Sequence, residues 1–164
     1  QRIGRQRGTT LMEVLVSLLV LSGGMLGMAS VQTVSLKNNQ SAYFRTQATA
    51  LSLDMVERLR ANIAGVQGGN YDDVAGGATA TCFTVVGCNA AQMASQDILD
   101  WGTQVAAALP GGASVVCVDS TGSDGTPGTE NCDGLGRVFA IKIWWDSNRD
   151  GTANQRYVTT TQPW

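Results

Sequence analysis

Apolar residues follow three patterns along this chain, an unbroken run, a spacing of three or four and a spacing of two, and each predicts a different element. From Val14 to Leu36 there are 23 residues without a charge, mostly Leu, Val, Met and small residues, and about 20 suffice to cross the hydrocarbon core of a bilayer as a helix. The helical pattern then continues. Phe44, Ala48, Leu51, Met55, Leu59 and Ile63 recur three or four residues apart, with Gln47, Ser52, Asp54, Arg58 and Arg60 between them; this is one apolar stripe on an amphipathic helix. Ala64-Gly65 ends it. An unbroken helix from Thr9 to Ala64 would reach about 84 Å at 1.5 Å per residue, so one half can cross a membrane while the other carries a domain. Gly23, Gly24 and Gly27 interrupt the first half at about 1 kcal/mol of helix propensity each. They suit either close packing of helices through small residues or a point that unwinds locally.

Beyond the helix the pattern shortens. Residues 65–88 read as a loop with one short strand at Cys82 to Val86. A second helix opens at Asn89, with Gln92 three residues on as a capping-box variant, and presents Ile98, Trp101, Val105 and Leu109 on one face before Pro110-Gly111-Gly112 stops it. Three strands follow: Ala113 to Val118, Arg137 to Trp145 and Gln155 to Thr161. In the middle strand Phe139, Ile141, Ile143 and Trp145 share one face, and Val138, Ala140, Lys142 and Trp144 the other. Packing the first set on the long helix leaves Trp144 nearer the surface as a candidate partner contact. The expected fold is α+β: a long N-terminal helix, membrane-spanning in its first half and amphipathic in its second, packed on a small antiparallel sheet with one further helix. The expected organisation is a leader at 1–8, the membrane half of the helix at 9–36, its amphipathic half at 37–64, and a head at 65–164.

Charge orients this layout. Arg2, Arg5 and Arg7 lie in the first eight residues without an acid, while residues 9–164 hold eight bases against 13 acids. The positive-inside rule then places the N-terminus in the cytoplasm and the head outside. A secretory signal with a removed apolar core is the competing reading. The acidic remainder argues against binding nucleic acid.

Cysteine and histidine usage removes several chemistries. No His is present, which excludes an imidazole base and most zinc sites, and Cys82, Cys88, Cys117 and Cys132 form no C-x-x-C pair. Four cysteines in a Gly- and Thr-rich region after a membrane segment fit an oxidising compartment and two disulfides. Three connectivities are open, besides free buried thiols; Cys82 with Cys88 and Cys117 with Cys132 close the shortest loops. The segment DSTGSDGTPGTENCDGLG is too rich in turn formers to order itself, so a bond through Cys132 makes sense there.

One motif could hold a metal. Asp146, Asn148 and Asp150 followed by Gly151 match the front of a calcium loop. The twelfth position is Tyr157 instead of the bidentate Glu, and a hairpin turn explains the same residues without an ion. No other cofactor is expected. Scattered acids without a histidine suggest no nucleophile and base, so the chain is not expected to be an enzyme.

The start carries a resemblance. Gly8 followed by TTLMEVLVSLLVLSGGMLGM resembles the processing signal of type IV pilins and type II secretion pseudopilins: a short basic leader ending in Gly, Glu at the fifth mature position, then an apolar helix. SLKNNQSAYFRTQATALSLDMVERLRAN, DILDWGTQVAAALPGG and the strand ending in WWD extend the resemblance over most of the chain, to PilV-type minor pilins of Gram-negative bacteria. The resemblance implies cleavage between Gly8 and Thr9 by a prepilin peptidase, methylation of the new amine of Thr9, and storage in the inner membrane with the head in the periplasm. It also implies assembly with other minor pilins and the major pilin, with a large tip adhesin as a further partner at the pilus tip. Glu13 is then the fifth-position acid. A lone carboxylate at the centre of a membrane helix is unfavourable by about 2.5 to 3.5 kcal/mol on insertion scales. The amine of Thr9 on an adjoining subunit would compensate it; snorkelling of Glu13 to the interface is the simpler alternative. A minor pseudopilin and a single-pass anchored module that binds through Trp144 or Trp164 remain as other functions.

Overall fold

The computed structural model describes residues 10–163. Two compact units divide the chain, Gln1–Ser41 and Ala42–Trp164. Helix α1 (Leu11–Ala61) is continuous through Gly23, Gly24 and Gly27, so no unwound point interrupts it. Its first half exposes Leu, Val and Met side chains along its whole length, and it is long and apolar enough to cross a membrane.

The second half of α1 belongs to the head and follows the predicted stripe. Phe44, Ala48, Met55 and Leu59 are buried, with Ser52 and Val56 beside them. The helix does not run on to Ala64, however. It breaks at Asn62, and a short helix α2 (Ile63–Gln67) follows. The reason is a better use of the Asn62 amide: its Oδ1 accepts from the Gly65 N–H at 3.1 Å, while its Nδ2 donates to the Tyr71 hydroxyl at 3.1 Å and to the Ala90 carbonyl at 2.8 Å. A buried amide that meets three partners offsets the lost helical bond. Gly65 is required there, because a Cβ would come within 3.0 Å of the Ala90 oxygen. Val66 enters the core and Ile63 is only half-buried.

The expected strand at Cys82 to Val86 is instead a 3-10 turn (Ala80–Phe83) leading into a loop. Helix α3 (Ala90–Ala108) starts with a reciprocal cap, in which Asn89 Oδ1 accepts from the Gln92 N–H at 2.9 Å and Gln92 Oε1 from the Asn89 N–H at 3.0 Å. Three antiparallel strands complete the head in the order β1 (Ala113–Val118), β2 (Phe139–Trp145), β3 (Gln155–Thr161). Their register places Val116 opposite Ile141 and Ile141 opposite Thr159. The layout is α+β.

The core lies between the helices and one face of the sheet. Met55 and Leu59 of α1, Trp101 and Val105 of α3, and Phe139, Ile141, Ile143 and Trp145 of β2 form its centre. Burial of each large side chain contributes about 1.5 to 3 kcal/mol relative to exposure. Two polar bonds fix the packing: Trp101 Nε1 donates to the Leu51 carbonyl at 2.8 Å, and Thr159 Oγ1 to Ser52 Oγ at 3.2 Å.

Candidate functional site

Glu13 stands in the first turn of α1, and its N–H donates to the Thr10 carbonyl at 2.9 Å. An acid suits that position because the first-turn N–H groups carry the positive end of the helix dipole. Its side chain is exposed, and among the described residues its carboxylate has no hydrogen bond or ion pair. It is the only charge between Thr10 and Leu36. Gly8 and Thr9 lie outside the described residues, as does Trp164.

In the head, Cys82 is bonded to Cys88 and Cys117 to Cys132, with Cα separations of 4.5 and 6.0 Å. The second bond leaves the end of β1 and holds residues 119–134 over the outer face of β2. That segment is built around a lysine. Lys142 is fully buried, and its Nζ lies 2.5 Å from Asp119 Oδ2, 3.0 Å from Asp124 Oδ1 and 2.8 Å from the Glu130 carbonyl. Burial by itself would raise the Asp119 carboxyl, but bonding to Lys142 and to the Thr121 N–H prevails and holds it below the usual carboxylate range. The sequence signal was a single Lys inside FAIKIWW. Its two-residue period places Lys142 on the outer face, but it does not reveal that this face is covered.

The same cover changes the reading of Trp144. It is buried, with only 4% of its surface exposed, and not near the surface as its face of the strand suggested. Residues 125–127 and 153–156 close around it in a cleft of about 230 Å³. The cause is the disulfide-held segment, which gives the outer face of β2 a second layer.

Asp146, Asn148 and Asp150 come together in the β2–β3 connection. Asp146 accepts from the Asn148, Arg149 and Gly151 N–H groups at 3.2, 2.7 and 2.7 Å, and Asp150 from the Asn148 amide at 2.7 Å. Asn148 Oδ1 in turn accepts from the Asn154 side chain. Burial would raise the Asp146 carboxyl, but the backbone donors, Gly151 first, outweigh it and lower it. The turn therefore satisfies its own carboxylates. Cys117, Asp119 and Cys132 also place three ligand-type atoms within 4.8 Å of one another, but the two sulfurs are spent on each other.

A further network ties the helices together. Arg58 bridges Asp54 at 2.8 Å and Asp97 at 3.0 Å, and the Tyr71 hydroxyl donates to Asp97 at 2.6 Å. Burial, and after it the bond to Asp97, raises the Tyr71 hydroxyl well above its ordinary value, so it remains a donor. This arrangement joins α1, α3 and the 68–73 loop.

The chain matches no family model, no curated protein and no solved structure.

Proposed function

We propose that this protein is a structural subunit of a type IV pilus, a minor pilin stored in the inner membrane with its head in the periplasm and recruited through Glu13. The observation that supports the reading is one carboxylate on an otherwise uncharged helical surface continuous with the helix that carries the head. In a bilayer that carboxylate needs a cation, and no described residue supplies one. The amine exposed at Thr9 of an adjoining subunit after removal of the leader meets the need. Once formed in an apolar bundle, such a pair costs about 3 to 5 kcal/mol to break by removing one member, enough to select and register subunits.

The head's part is contact. Its Lys142–Asp119 pair and its Arg58–Asp97–Tyr71 network are closed on themselves, which suits a rigid body that docks on neighbours. Other minor pilins, the major pilin and a tip adhesin are the partners proposed.

A strain whose own copy carries Glu13→Ala tests recruitment. The variant is expected to be cleaved normally and to leave pili missing; normal pilus number would exclude the role given to Glu13. Co-purification separates the neighbouring function, since pilus subunits support a pilin and secretion pseudopilins would replace that reading.

A further inference from the structure

Phe83, Val85 and Val86 retain 75%, 106% and 86% of full exposure, more than any other large apolar side chain described in the unit Ala42–Trp164. All three stand on one loop, between Cys82 and Cys88. Scattered exposed apolar residues are ordinary on a protein surface; three within five positions form a patch of the kind that marks an interaction site.

The loop is held in place. Its disulfide brings the ends to a Cα separation of 4.5 Å. Inside it, the Thr84 N–H and hydroxyl donate to the Thr81 carbonyl at 3.1 and 2.9 Å, and the Gly87 N–H to Thr84 at 3.1 Å. Its base is rooted twice, by the Asn89 cap of α3 and by the Asn62 bond to Ala90 at 2.8 Å. A loop fixed in this way loses little freedom when it docks.

Charge narrows the occupant. Residues 74–96 contain no acid and no base, in a chain with 11 bases and 13 acids, and Asp72, Asp73, Asp97 and Asp100 flank the gap. A charge-depleted centre with an aromatic residue is the composition of a protein interface core. A lipid surface fits less well, because segments that insert there carry Lys or Arg toward anionic headgroups and Trp or Tyr at the boundary. Residues 74–96 hold none of these four types.

We propose that the Cys82–Cys88 loop is a docking knob that fills an uncharged apolar cleft on a different protein subunit, outside the membrane. That this subunit is a fellow pilin rests on the function proposed above; the knob itself does not.

The test uses the full-length chain in cells that assemble it, with the photoreactive residue benzoylphenylalanine in place of Val85. Irradiation is expected to give one discrete adduct whose cross-linked peptide maps to an apolar, uncharged cleft of another protein. The same probe in place of exposed Thr152 is expected to give none. With the probe in place of Phe83, Val85→Asp is expected to lower the adduct at least tenfold without changing the melting temperature, since Val85 is fully exposed. A cross-link to a second copy of this chain, to lipid, or to a charged surface overturns the proposal, as does equal labelling from Thr152 or no adduct at all. The two readings fail separately. If deleting the gene leaves pilus number unchanged, the pilus function falls while the Val85 adduct still decides the knob. If the Val85→Asp chain cross-links as well as the parent, the knob falls and the pilus function stands.

Discussion

At the scale of single residues, two buried charges differ in what they need. Lys142 and Asp119 are both fully enclosed and paired, so removing the cation leaves a carboxylate without compensation. Lys142→Ala is expected to destabilise the head by about 3 to 5 kcal/mol, read as a fall in denaturation midpoint of the full chain in detergent; an unchanged midpoint would mean that the pair is solvated in solution. Asp146 has partners of another kind: three backbone N–H groups meet its oxygens. Asp146→Ala removes the acceptor of those donors and is expected to lower the melting temperature. That loss is expected to be the same in calcium and in chelator; a melting temperature of the parent chain that rises with calcium would restore the ion to this loop.

At the scale of elements, the segment between Cys117 and Cys132 acts as a lid on the outer face of β2. A closed loop of about 15 residues stabilises by about 3 kcal/mol in the chain-entropy treatment, and here the bond also holds Asp119, Asp124 and Glu130 against Lys142. Replacing both cysteines with Ala is therefore expected to lower the melting temperature and to change the near-ultraviolet dichroism of Trp144, which loses its cover. An unchanged aromatic signal would show that the segment stays in place without the bond. Acid acts on the same lid. The Asp119 carboxyl is held below its ordinary value of 3.8, so its contribution is complete above that value and is lost as pH falls through the depressed one. Melting temperature is expected to be flat between about pH 7 and pH 5 and to fall below about pH 4, with a shallower fall in Asp119→Asn. Asp133 and Asp146 are also lowered, so a single substitution removes only part of the acid sensitivity.

At the scale of the whole molecule, the residues that hold the head together are distinct from Glu13, the residue proposed to direct assembly. The Glu13 carboxylate makes no hydrogen bond or ion pair among the described residues, whereas the head is held by its core, two disulfides and the Arg58–Asp97–Tyr71 network. Glu13→Ala is accordingly expected to leave the melting temperature of the head within the error of a surface substitution, about 0.5 kcal/mol, while it abolishes assembly. A clear loss of stability would instead place Glu13 in a structural contact of its own chain.

Local rules determined much of this protein from its sequence. Period and length gave the long helix as far as Ala61, the cap at Asn89 and the three strands, the middle one starting at Phe139 and not at the expected Arg137, because each depends on neighbours a few residues away. The sequence also favoured the two disulfides that close the shortest loops. Tertiary structure decided the rest. Asn62 breaks the helix only because Tyr71 and Ala90 are brought beside it. The period of β2 sorted its side chains onto two faces correctly, but a period states which residues share a face and not what covers it. Lys142 and Trp144 are buried because a segment without apolar pattern of its own is tied across them by Cys117 and Cys132, and a contact made by a distant, turn-rich loop leaves no periodic trace in the sequence.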